Sequence, residues 1–261
     1  MCLAVWGVTQ LHDVVYMVCS WSSRIARFNA TTYERLADID VEDLRQPCDI
    51  VACEQTSQLY IAEQWCVWQM SADGADIYVQ LWWTWSPTDT LYPTSLSVTS
   101  TRLLVTSYTS QLMQLDSLGN EIRRVQLPDN MHAEHAVESP TKTFIVSNNN
   151  TQLKPCQLNQ WQISEVNVHG QVLRQFTGSR LSSLGFTPHI AIDSHGHVFV
   201  AERDNRRILL LDAQLRLRRL IIDEHQLNYE HLWRLCYREA TGQLLVGLYD
   251  NKVVVFDVLC R

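Results

Sequence analysis

His132 and His135 stand three residues apart in MHAEHAVE, and His195 and His197 two apart in SHGH. Histidines spaced this way can hold a metal ion or shuttle protons. One pair alone does not fill a zinc site, and none of the eight cysteines forms a C-x-x-C that would complete one. The cysteines sit mostly inside apolar runs such as VVYMVC (14–19) and LCY (235–237), where they read as buried free thiols suited to a reducing compartment. No G-x-S-x-G, P-loop or G-x-G-x-x-G is present, so nucleophilic and phosphate chemistry have no candidate. The expectation is a chain without catalytic residues, metal or other cofactor, and with no small-molecule substrate in view.

The remaining chemistry is recognition. Trp82, Trp83 and Trp85 crowd the stretch WWTWSP, and Trp65 precedes it in QWC. Tryptophan is favoured at interface hot spots, so these four are the candidate protein-binding residues. Other tryptophans (Trp6, Trp68, Trp161 and Trp233) fall inside apolar runs and read as packing. Arg203, Arg206 and Arg207 form a basic cluster that could contact single-stranded RNA through phosphates and stacking. A net charge of −7 weighs against a polyanion partner for the whole protein.

The elements that position these residues repeat. VYMVC (15–19), LYIAE (59–63), LLVTS (103–107), FIVSN (144–148), VFVAE (198–202) and LLVGL (244–248) recur at intervals of 41 to 54 residues. Each is preceded by another apolar run and followed by one or two more, with turn residues between. Runs of this length, rich in β-branched and aromatic residues, are strand signals. No stretch keeps a 3.6-residue period long enough for a confident helix, and VEDLRQ and DEHQLNYEHLW give a turn or two at most. Four strands per unit, six times over, describe an all-β, six-bladed propeller with four-stranded antiparallel blades. The blades span approximately 2–40, 47–81, 93–127, 132–176, 188–222 and 232–259, in one domain over 1–261. The sixth copy stops after VVVFDVLCR, so the last blade is expected to lack its outer strand.

The fifth copy, PHIAIDSHGHVFVAERDNRRILLLD, resembles an NHL repeat, written roughly P-x-G-I-A-V-D-x-x-G-x-I-Y-V-A-D-x-x-N-x-R-I-x-x-F-D. The match runs through Pro188, Asp193, Gly196, Ala201, Glu202, Asn205, Arg207, Ile208 and Asp212. His189 takes the usual glycine place and Glu202 the usual aspartate. The second copy keeps Pro47, Ile50, Ala52, Ala62 and Glu63 but loses N-x-R-I, and the others match less. The resemblance implies a six-bladed propeller like those at the C-terminus of tripartite-motif proteins. Ubiquitin-ligase activity would then belong to RING, B-box or coiled-coil segments outside these residues, and RNA binding is known among such domains. Six-bladed propellers also include calcium-dependent lactonases and other metal-dependent hydrolases or lyases.

In such a blade the loop between the second and third strands emerges on the same face as the blade-to-blade loop. These first-face loops are the longer ones, and they carry Trp65, WWTWSP, Arg203 and Arg206, with acids outnumbering bases. Function is expected there. The acids expected on the channel-lining strands are Glu134, Glu138 and Asp193, at strand ends. The recurring arginines, Arg24 and Arg207, are expected to pair with a neighbouring blade's carboxylate. MCLAVWGVTQLHD has no signal-peptide pattern, and no apolar run reaches the ~20 residues that span a bilayer, which suggests a cytoplasmic protein without a membrane partner. The expected role is a non-catalytic scaffold whose loop face meets a protein.

Overall fold

The computed structural model describes residues 4–71, 78–84, 92–150, 161–179, 182–183, 188–227 and 230–258. Six antiparallel sheets stand in a ring, five of four strands and the last of three. From the channel outward, blade 1 holds Val5–Leu11, Val14–Cys19, Arg24–Asn29 and Ile39–Asp40. Blade 2 holds Pro47–Cys53, Gln58–Glu63, Cys66–Ser71 and Tyr78–Thr84. Blade 3 holds Pro93–Thr99, Arg102–Ser107, Gln111–Leu115 and Glu121–Gln126. Blade 4 holds Met131–Glu138, Phe144–Asn150, Trp161–Val166 and Val172–Phe176. Blade 5 holds His189–Ile192, Val198–Glu202, Arg207–Leu211 and Leu217–Ile222. Blade 6 holds Leu232–Arg238, Gln243–Leu248 and Val253–Asp257, with no outer strand, as its sequence foretold.

The burial of each strand follows from its place in the ring. Val198–Glu202 is buried at every position, because both faces of a middle strand are covered by the adjoining blades. Leu217–Ile222, at the rim of the same blade, is exposed over its first four residues. Each of the six seams carries its own apolar cluster: Ile25 with Ile61 between blades 1 and 2, Tyr60 with Leu103 between 2 and 3, and Leu112 with Phe144 between 3 and 4. Ile163 with Val200, Phe199 with Leu244, and Leu245 with Val5 fill the remaining three. A blade therefore has no core of its own; its stability comes from its two neighbours.

The turns before the outer strands of blades 3, 4 and 5 use one device. Asp116, Asn167 and Asp212 each accept two backbone N–H groups, from the residues two and four positions on. Asp193 does the same one hairpin earlier, for His195 and His197. The third residue after each has positive φ: Gly119, Gly170, Gly196 and, where no glycine is available, Leu215. A short acceptor side chain followed by a left-handed residue closes the hairpin.

Three sequence expectations change. YERLADI does not form a full outer strand in blade 1; only Ile39–Asp40 and an isolated bridge between Phe28 and Arg35 remain, because Tyr33 takes a positive φ and turns the chain. The H-x-x-H stretch is not irregular but lies in the continuous strand Met131–Glu138. A single 3-10 turn, Glu54–Thr56, sits in a hairpin where no helix was foreseen. Among the described residues Cys48, Cys53, Cys66 and Cys236 are free thiols, and Cys48, Cys66 and Cys236 are only partly buried.

Candidate functional site

The inner strands share a fault in their pairing. In blades 1, 2, 3, 4 and 6 the ladder skips one residue: Trp6, Cys48, Thr94, Glu134 and Trp233 respectively. A bulge leaves its extra residue unpaired and re-aims the side chain. All five skipped residues line one cavity of about 470 Å³ at the first-face mouth of the channel. Its walls are completed by Trp21, Tyr92, Tyr108 and Trp161, with Arg203 at the rim and Arg234 at the floor. Trp6 and Trp233 pack at 5.7 Å between ring centroids, and the Arg203 guanidinium lies over the Trp233 ring at 3.8 Å.

The residue after each bulge forms a second tier, one step deeper. Gly7, Asp49, Ser95, His135 and Arg234 hold this position, joined from blade 5 by His189, which starts its strand without a bulge. The polar members tie one blade to the next. Asp49 accepts the Leu96 N–H (2.8 Å) and the Ser95 hydroxyl (3.0 Å) of blade 3. His135 Nδ1 accepts the Ile190 N–H of blade 5 (3.2 Å), and His189 Nδ1 accepts the Leu235 N–H of blade 6 (3.2 Å). The two imidazoles stack at 3.8 Å. Arg234 reaches from blade 6 to blade 2, donating to the Cys48 carbonyl (3.0 Å) and lying 3.8 Å from Asp49. It crosses blade 1, where a Cβ on Gly7 would sit 2.5 Å from the Ile50 nitrogen.

Burial sets the charge states. It pushes the Asp49 carboxyl up against the pull of Arg234 and three hydrogen bonds. Burial and the nearby Arg234 hold His135 down at about 3, and burial with the adjacent His135 holds His189 well below its ordinary range. Both histidines are neutral at pH 7. Asp49, His135 and His189 each place a ligand atom within 4.8 Å of the others, the geometry of a metal site. The hydrogen bonds argue otherwise. A backbone N–H can only donate, so both Nδ1 atoms are acceptors and the ring proton sits on Nε2. A metal-binding histidine instead gives its second N–H to an acceptor. With Arg234 alongside, this tier fits blade registration, not a cation.

The candidate residues named from the sequence scatter around this site. Trp65 is 53% exposed on the first face and packs edge-on against Tyr92 (4.3 Å). Trp82 and Trp83 are not in a loop; they end the outer strand Tyr78–Thr84 and pack partly buried into the seam between blades 2 and 3, with Trp82 against Tyr60. A bulge opposite Val67 and Trp68 turns both to that seam. Trp85 lies outside the described residues. Arg207 is ion-paired with the fully buried Glu202 of its own blade, where a neighbouring blade's carboxylate was expected, because the two are opposite in the ladder. Arg24 likewise pairs within its blade, with Asp40. Arg206 occupies a turn at positive φ. His132 stacks edge-on with Tyr108, while His197 pairs with Asp193 in a turn on the opposite face.

Asp49, absent from the acids expected at the channel, is buried there. The signal for it was in the repeats. W-G-V, C-D-I, T-S-L, E-H-A, P-H-I and W-R-L occupy equivalent places in the six copies, and their middle residues are the second tier.

No protein-family model matches the chain, and no curated protein sequence does. Among solved structures, the fold is similar to Kuenenia stuttgartiensis hydrazine synthase, with a TM-score of 0.69 and 13% identity over 98% of this chain and 84% of that one. It is also similar to the WD40 β-propeller domain of Doa1, with a TM-score of 0.61 and 15% identity over 97% of this chain and 92% of that one. At such identities the likeness is one of fold: the chain is a six-bladed β-propeller.

Proposed function

We propose that the chain is a non-catalytic interaction module that takes a segment of a protein partner into its channel mouth. The observation that carries this is the aromatic bowl. Its volume suits a few side chains, and its walls carry six indole and phenol rings, the groups that dominate binding hot spots. Exposed Trp21, Tyr108 and Trp65 extend the same apolar surface onto the loops. Propellers commonly serve as interaction scaffolds, and the NHL-like fifth repeat favours a module working within a tripartite-motif type of protein. Free thiols favour a reducing, cytoplasmic setting, and among the described residues no helix is long and apolar enough to cross a membrane. The arginines weighed for RNA are poorly placed to act together, since Arg207 is engaged with Glu202 and Arg203 with Trp233.

The test compares proteins cross-linked to the wild type with those cross-linked to Trp21→Ala/Tyr108→Ala at the mouth and to Leu118→Ala on the opposite face. A partner lost only with the mouth variant, and then reconstituted with purified components, supports the reading. Equal capture by all three, with matched thermal melts, would remove it.

A further inference from the structure

We infer that the occupant of the bowl is a basic side chain, lysine or arginine, of the protein partner, held between the aromatic walls with its charge on the Glu134 carboxylate. This rests on the reading of the mouth as a protein-binding site and names its chemistry.

The first argument is an inventory of buried charge. Glu202 is matched by Arg207, Glu165 by Arg174, and Glu138 by Arg102 and Lys142. Asp49 has Arg234 and three hydrogen bonds. Glu134 differs. Its backbone carbonyl accepts from Thr94, but its carboxylate makes no hydrogen bond or ion pair among the described residues, although it lines the cavity. Burial pushes its carboxyl up, and Arg234, already committed to Cys48 and Asp49, offsets this only in part. A desolvated carboxylate without a partner is relieved by an incoming cation.

The second argument comes from the walls. The face of Trp233 already carries a guanidinium, that of Arg203, so the rings of this bowl accept cations in the stacked geometry. The methylenes of a lysine or arginine would lie along the neighbouring indoles while its charged head reaches the carboxylate. The third is a spare donor. Trp233 Nε1–H is buried with no acceptor among the described residues, beside the same cavity. A backbone carbonyl of the entering residue supplies one. An acidic side chain would meet Glu134 unfavourably, and an apolar one would leave it unmatched.

The experiment titrates the whole chain with the capped peptides acetyl-Gly-Xaa-Gly-amide, following tryptophan fluorescence, with Xaa as lysine, arginine, norleucine or glutamate. Lysine and arginine peptides are expected to bind about tenfold or more tighter than the norleucine peptide. Glu134→Gln, which keeps shape and an acceptor, should erase that difference. Norleucine or glutamate binding as tightly as lysine, a lysine preference that survives Glu134→Gln, or no binding at millimolar peptide would each overturn the inference. Norleucine binding as tight as that of lysine, and lost with Trp21→Ala/Tyr108→Ala, would sink the basic occupant but keep the protein-binding mouth. Retention of single-stranded RNA with no peptide retained would end both.

Discussion

At the scale of single residues, one repeat position does different work in different blades. Glu202 and Arg207 stand five apart and form a buried pair. In blade 2 the equivalent Glu63 keeps its place, but the residue five positions on is Trp68, whose indole N–H donates to the carboxylate (2.9 Å). Arg24 of blade 1, facing no such glutamate, pairs with Asp40 where both side chains are largely exposed. The two arginines therefore carry unequal weight. Arg207→Met strands a fully buried carboxylate and should cost about 3 kcal/mol, whereas Arg24→Met should cost about 0.5 kcal/mol or less; urea denaturation of both variants measures the contrast. His135 makes a second prediction. Its folded value, about 3, lies below the ordinary 6.5, so the unfolded chain takes up the proton first and stability falls as pH drops below 6.5. Asp49, whose carboxyl is raised, acts in the opposite sense, over a window that opens upward from the ordinary 3.8. Between pH 7 and pH 5 the wild type should lose about 2 kcal/mol more than His135→Asn, which retains an acceptor for the Ile190 N–H.

At the scale of elements, the inner strand is the unit that builds the site. Its bulge places one residue at the mouth and the next in the tier below, so a sequence-neutral backbone feature sorts side chains into two functions. Gly7 shows how tight this is. Blade 1 approaches the Ile50 backbone so closely that no Cβ fits, and Gly7→Ala forces main chain against main chain. The expected cost is about 1–3 kcal/mol, as for other overpacked positions, seen as a lowered melting temperature. Most of the strands were legible from apolar runs and turn residues. The bulges were not, since a skipped residue leaves no mark in hydropathy. For that reason WWTWSP was read as loop, although Trp82 and Trp83 belong to a strand that the seam needs.

At the scale of the molecule, stability is shared around the ring. The seam between blades 6 and 1 is covalently open, and Val5 packed on Gly247 and Leu245 closes it. A Cβ on Gly247 would lie 2.7 Å from the Val5 side chain. Gly247→Ala should therefore lower the midpoint of one cooperative unfolding transition, because every blade relies on both neighbours. A separate early transition confined to blades 6 and 1, seen by calorimetry, would refute that sharing. The outer edge of Val253–Asp257, where only Asp257 is exposed, has no further strand paired to it among the described residues.

The sequence by itself determined the number of blades, most of the strands within them and the missing outer strand of blade 6, because these follow from local patterns of apolar and turn residues repeated along the chain. The tertiary structure alone decided which side chains meet. Cys48 and Arg234 are 186 residues apart, and Glu134 gains its importance from indoles contributed by other blades. Closing the ring brings six equivalent positions to one axis, and no local pattern encodes how those six differ from one another.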